Sequence, residues 1–313
     1  MAKKTDGVQL TLGPVAYHWS EAKKRDFYAR IADEAPIGTV YLGEVICSKR
    51  APFFERAMPA VIDRLKRGGK RVVLSTLAEV VLPRERKATA ALCRQEDFEI
   101  EINNAAGLYA RSGKPHRIGP FMNAYNEATI AWMGSQGATH VCLPPELPGA
   151  SFGAAAAAAS AAGLETEAQV FGRAPLAVSA RCYHARAHER HKDNCQFVCE
   201  NDPDGMPLTT LEGERFLRIN GIQTQSETYL CLAAEVPDII AMGIRHLRLL
   251  PQDVDMVAVA RTFHALACGA LEPMAALDRI GELCAGTRMS NGFFHRAAGE
   301  RYIAPEARTR VLV

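Results

Sequence analysis

The sequence predicts an α/β protein built as a (β/α)8-type barrel or a close relative, with a cysteine-bearing insertion after the seventh strand. Three observations lead there. Short apolar runs alternate with helix-patterned segments over roughly 270 residues, enough for seven or eight strand–helix units. No GxGxxG follows the first strand and no Walker A loop is present, which removes the usual signatures of an open nucleotide-binding sheet. Cys47 follows the second strand and Cys182 the seventh, so a barrel would bring both to the face made by the carboxyl ends of its strands.

The elements follow in order. VQLTLGP reads as a strand, and Ser20 precedes EAKKRDFYARIADEA, a helix that stops before Pro36. TVYLGE is the second strand. Met58, Val61, Ile62 and Leu65 fall at helical spacing, and Gly68-Gly69 end that helix before the strand RVVLST. A charged helix from about Arg84 to Arg94, the strand FEIEIN, a short GLYARSG helix and the strand HRIGP come next, followed by NEATIAWMGSQG as helix and HVCLPPEL as strand. The alanine tract between Gly153 and Gly163 reads as a helix, because alanine is the best helix former and packs closely on a sheet. LETEAQVFGRAPLAVSA supplies an extended segment.

Residues 181–226 are read as the insertion, with Asn220-Gly221 marking a hairpin. The alternation is expected to resume with a helix near Tyr229, the strand HLRLLP and a helix on which Val259, Phe263 and Leu266 share a face. From about 270 to 313 a C-terminal tail over the surface is expected, so that residues 1–313 form one domain.

Composition narrows the class. Hydrophobic residues at 48% and charged residues at 23% are ordinary globular values, and a net charge of +2 demands neither nucleic acid nor an acidic membrane as partner. No apolar run of transmembrane length occurs, and MAKKTDG does not lead into a signal-peptide core, so a cytoplasmic location without stable membrane insertion is expected. In a reducing compartment the nine cysteines are not expected to form a disulfide framework.

The chemistry gathers in RCYHARAHERHKDNCQFVCE, where Cys182, Cys195 and Cys199 are spaced C-x12-C-x3-C in a polar, histidine-rich loop. Thiolates grouped like this usually serve a metal, and Cys47 in YLGEVICSKR is the best fourth ligand. The four could hold an iron–sulfur cluster or zinc, and His184, His188 and His191 keep a mixed Cys/His zinc site open. Cys93, Cys142, Cys231, Cys268 and Cys284 read as small apolar fillers. HERH is one residue short of HExxH, whose two histidines need i,i+4 spacing, and no GxSxG nucleophile is present. Lys49, Arg50, Arg181, Arg186 and Arg190 read as a solvated cationic rim that could also pair with a cluster or an anionic substrate.

YLGEVICSKR, RVVLSTLAEV, PLAVSARCYHAR, the cysteine loop and FLRINGIQTQS resemble the U32 peptidase family, most closely its ubiquinone-biosynthesis members, from about Leu10 to Pro251. The resemblance implies a [4Fe-4S] cluster on Cys47, Cys182, Cys195 and Cys199. It also implies a heterodimer with a UbiU-like sister U32 protein, a lipid-carrier accessory protein that delivers the prenylated precursor, and a subunit's role in oxygen-independent hydroxylation of the ubiquinone ring with prephenate as oxygen donor. Other U32 activities stay open: a prephenate-dependent RNA hydroxylase, a peptidase, or a non-catalytic electron relay. The near-neutral charge speaks against RNA, and catalytic residues are not read from the sequence.

Overall fold

A computed structural model describes residues 7–305, in which eight parallel strands close into a barrel. The first seven come in chain order: β1 (Gln9–Leu12), β2 (Thr39–Leu42), β3 (Arg71–Ser75), β4 (Glu99–Ile102), β5 (His116–Ile118), β6 (Ala138–Leu143) and β7 (Glu165–Val178). A small antiparallel sheet of β8 (Met206–Thr209), β9 (Arg215–Asn220) and β10 (Gln223–Cys231) then intervenes. The eighth barrel strand, β11 (His246–Leu249), pairs with both β1 and β7 and closes the ring. A short strand, β12 (Met289–Ser290), lies parallel to β10.

The barrel is apolar outside and polar inside. Leu10, Leu12, Val40, Leu42, Ile100, Ile102, Leu247 and Leu249 join the core beneath the helices, whereas the alternate residues Thr11, Tyr41, Glu101 and Arg248 point into the lumen. There Arg248 bridges Glu101 and Glu167, at 2.5 Å each. Tyr41 reaches Glu167 at 3.2 Å and accepts from Arg117 at 3.1 Å, and Ser75 donates to Glu101 at 2.6 Å. Burial alone would raise the Glu167 carboxyl, but Arg248 opposite holds it down to about 2.

The helices cover this ring for reasons visible in their residues. Ser20 caps α1 (Glu21–Glu34) by accepting from Lys23 N–H, worth about 1 kcal/mol. After the single turn α2 (Pro52–Glu55), α3 (Met58–Arg67) buries Val61, Ile62 and Leu65. Next come α4 (Pro83–Arg94), α5 (Ala105–Arg111) and α6 (Glu127–Ser135). In α7 (Gly149–Ala161), Ala155, Ala156 and Ala159 are buried with Phe152, as the alanine tract predicts. The insertion holds α8 (Tyr183–Ala187), and α9 (Val236–Ala241), α10 (Met256–Ala267) and α11 (Pro273–Leu283) complete the shell. No helix among the described residues is long and apolar enough to cross a membrane.

Two expectations need correction. Tyr229 lies in β10, not in a helix, because Gly221 (φ +64°) turns the chain back on β9 and Thr228–Cys231 continue as a buried, β-prone run beside β7. The helix begins only at Val236, where Pro237 suits its first turn. Nor is the C-terminal region from 270 a plain tail: α11 buries Ala276 and Ile280, and Phe294 packs edge-on against Phe152 at 5.7 Å. The part of that expectation at 306–313 lies outside the described residues.

β7 shapes the site. Its first half pairs with β6 and β11 in the barrel; Phe171 pairs with both β11 and β10, and from Gly172 onward the strand pairs with β10. Gly172 (φ +107°) marks the departure, and a Cβ there would stand 2.8 Å from Leu250 Cβ. The strand thus carries the chain beyond the barrel mouth to Cys182.

Candidate metal centre

The loop after β2 turns at Gly43 (φ +133°), where a Cβ would lie 2.6 Å from the Ser75 carbonyl oxygen. Glu44 then accepts from the backbone N–H groups of Ile46 and Cys47, both at 3.0 Å, and holds the Cys47 loop in shape. Ser48 donates to Glu85 at 2.6 Å, which anchors the same loop to the start of α4.

Across the mouth, Cys182 is the N-cap of α8, its Sγ accepting from Ala185 N–H at 3.4 Å. Cys195 follows a 3-10 turn at Lys192–Asn194, and Cys199 sits in another at Val198–Asn201. Between them Gln196 (φ 48°) and Phe197 (φ 53°) are successive left-handed residues that reverse the chain, a conformation costing about 1 kcal/mol or more each. Lys49 Nζ donates to the carbonyls of Lys192 at 2.6 Å and Asp193 at 3.1 Å, so the Cys47 loop and the Cys195 loop are tied together.

The structure brings the four predicted thiols into one neighbourhood. Cys182 is within electrostatic reach of Cys47 and Cys195, and Cys199 of Cys182 and Cys195. Cys47 and Cys182 also pack on one apolar patch, Val45, Ile46 and Ile222. Beneath them lies Arg50, which is 1% exposed and corrects its reading as a solvated rim residue. Its guanidinium donates to Ala16 O at 2.9 Å and Asn220 Oδ1 at 3.1 Å, and its charge acts on the Cys199 thiol. Glycine is required at the hairpin tip above it, since a Cβ on Gly221 would come within 2.6 Å of Arg50 Nη2.

Four thiols are a donor type suited to zinc or to an iron–sulfur group. Burial raises the thiols of Cys47, Cys182 and Cys199, so lone thiolates are disfavoured there, while Arg50 pulls Cys47 and Cys199 the other way. Zinc held by thiolates would want sulfurs about 3.8 Å apart, from Zn–S bonds of about 2.3 Å. Among the described residues, the sets whose ligand atoms all lie within 4.8 Å of one another are His140/Glu165/His246 and His184/His188/Asp202, so the thiols stand wider than a zinc set. The histidines of the loop do not join the thiols: buried His184 bonds Asp202 at 2.8 Å, and His188 and His191 are exposed. HERH lies past the end of α8. Of the other cysteines, Cys93, Cys142, Cys231 and Cys284 are buried as expected, but Cys268 is exposed at the end of α10.

Beside the thiols, the barrel mouth holds a small cavity of about 30 Å³. Pro14, Phe121 and Leu250 give it apolar walls, Arg248 and Asn103 lie at its lumen side, and Tyr17, which donates to Gln252 at 2.9 Å and to Gln225 at 3.2 Å, forms a polar edge. Ala16 and Val45 line this cavity and also pack on the apolar patch of Cys47 and Cys182. The sequence offered one overlooked signal: Glu101 and Arg248 each stand between two apolar residues of a short strand, Ile100/Ile102 and Leu247/Leu249, and Glu167 stands two residues after Glu165 in β7. Outside the mouth, Lys49, Arg84, Arg181, Arg186, Arg190 and Lys192 line a cationic groove that includes Cys182.

A model of peptidase family U32 matches residues 20–268. Solved structures with a similar course include the U32 peptidase Mk0906, 11% identical, covering 80% of this chain and 87% of that one, TM-score 0.34. An uncharacterized B. cereus protein is also 11% identical, over 78% of this chain and 60% of that one, TM-score 0.33. A phospho-2-dehydro-3-deoxyheptonate aldolase of Thermotoga maritima is 9% identical over 91% and 72%, TM-score 0.34.

Proposed function

Because the chain belongs to peptidase family U32, we propose that it is an iron–sulfur protein that carries a [4Fe-4S] cluster on Cys47, Cys182, Cys195 and Cys199. In this reading it works as the UbiV-like partner of a UbiU-like subunit in oxygen-independent hydroxylation of the ubiquinone precursor ring, with prephenate as the oxygen donor. The observation that carries the reading is the gathering of four thiols over buried Arg50 at the barrel mouth. A cluster held there supplies one-electron chemistry. Arg50 offsets negative charge beside Cys199, and the loop ties through Lys49 keep the thiols in place. The neighbouring cavity offers apolar walls and a polar Tyr17–Gln252 edge beside the thiols, and a ring would have to widen it to enter. A lipid-carrier accessory protein would present the prenylated precursor.

Anaerobic purification with iron, sulfide and zinc analysis tests this. About four irons and four sulfides per chain, lost in Cys182→Ala, are expected; zinc without sulfide would overturn the cluster. A strain carrying Cys195→Ala should stop making ubiquinone without oxygen, and unchanged quinone would sink the hydroxylation role. A second reading, a U32 RNA hydroxylase, draws on the cationic groove beside Cys182. Salt-sensitive RNA binding lost on Arg186→Glu would favour it.

A further inference from the structure

A second constellation sits at the opposite end of the barrel. His140, Glu165 and His246 stand at the amino ends of the neighbouring strands β6, β7 and β11. His140 is in register with Glu165, and His246 with Glu167 two residues farther along. By strand alternation all three face the same way as Cys142, Glu167 and Arg248, and form the layer of the lumen below them. His140 Nε2 lies 3.2 Å from Glu165 Oε2, and His246 Nε2 contacts that same oxygen. The ring centroids are 5.2 Å apart with planes at 64°, so the imidazoles converge on the carboxylate and do not stack.

We propose that His140 Nε2, His246 Nε2 and Glu165 form a binding site for a divalent transition ion, with zinc the ion best suited to the donors and water completing the coordination. Two imidazoles and one carboxylate with an open position are a donor set typical of zinc, and the three ligand atoms already lie within 4.8 Å of one another. His140 is oriented as a ligand histidine would be: its other nitrogen, Nδ1, meets Thr139 Oγ1 at 2.9 Å, and that hydroxyl donates to His116 O at 3.1 Å. Among the described residues His246 Nδ1 is buried without a hydrogen-bond partner, and that ring's hydrogen bond is the one at Nε2. An entry path exists, because His140 and Thr139 line an open groove at the lower rim and the Glu165 side chain is 58% exposed. Arg117, the arginine whose charge acts on His140 and Glu165, is engaged by Glu99 at 2.8 Å and by Tyr41, and the groove carries Glu96, Asp97 and Glu99 beside its own Lys66, Lys70, Arg71 and Arg111.

The location gives the ion a task. β7 and β11 form the pairing that closes the barrel, and an ion shared by β6, β7 and β11 fastens that seam. The site contains no thiol and is independent of the cluster at the mouth.

The test is an anaerobic Co2+ titration of the full chain after its cysteine site has been reconstituted with iron and sulfide. Wild type should take up one further Co2+ per chain, showing visible d–d bands without the near-ultraviolet thiolate-to-cobalt band, and Zn2+ should displace it. Zn2+ at 100 times its Kd should raise Tm by about 5 °C. His140→Ala and the isosteric Glu165→Gln should each weaken uptake about 100-fold or more and lose the Zn2+-dependent rise in Tm, with iron content unchanged. No uptake beyond the cysteine site in wild type overturns the proposal. So does uptake that carries the thiolate band, or uptake that persists undiminished in both variants. Should the protein hold no cluster, the thiolate band still separates cobalt bound at the mouth from cobalt at the lower rim.

Discussion

At the carboxyl end of the barrel the thiols sit on loops, and every loop has to be held by something else: Glu44 under Cys47, Ala185 N–H on Cys182, Lys49 across to the Cys195 turn. At the amino end His140, Glu165 and His246 sit on the strands themselves, and register alone brings them together. Strand-borne donors are positioned by the backbone ladder at no extra cost. Loop-borne donors can be spaced widely enough for a larger group, but they need a supporting shell, and here that shell includes a fully buried arginine.

The contrast can be broken at either end. Cys199→Ser should take iron from about four per chain to near zero, while Co2+ uptake at the lower rim continues; iron and cobalt analysis of one sample reads both. Between the two ends, Arg248→Met would leave Glu101 and Glu167 buried without their cation, and urea unfolding should show a loss of about 3–5 kcal/mol.

A third prediction uses pH. His18 lies near the thiols against Phe53 and Phe197, and burial first, then Arg50, lowers its pKa to about 4. The folded value is below the unfolded one, so the folded state binds fewer protons. Stability is therefore complete above about pH 6.5 and declines as pH falls toward 4, by about 3 kcal/mol at most from this residue. His18→Phe should flatten that part of the curve; an unchanged slope would mean that other groups dominate, His116 among those also lowered by burial. The smallest effect expected is about 1 kcal/mol from Ser48→Ala, which removes the bond to Glu85, measured as a shift in the urea midpoint.

Much of this was legible in the chain. Period-2 and period-3.6 patterns marked the strands and most helices, because each element buries one face whatever its neighbours are. Cysteine spacing marked the mouth, since a C-x12-C-x3-C loop has no packing purpose of its own. Tyr229 was misread because a short apolar run suits helix and strand alike, and the hairpin at Gly221 decided between them.

What the sequence by itself determined is the alternation that makes a barrel and the set of thiols at its carboxyl end. Only the tertiary structure decided that Arg50 lies buried among those thiols, that Glu101, Glu167 and Arg248 share one polar lumen, and that His140, Glu165 and His246 meet on a single oxygen. The physical reason is sequence distance: alternation tells which face a side chain takes, whereas its partner across the ring is chosen by strand register and closure.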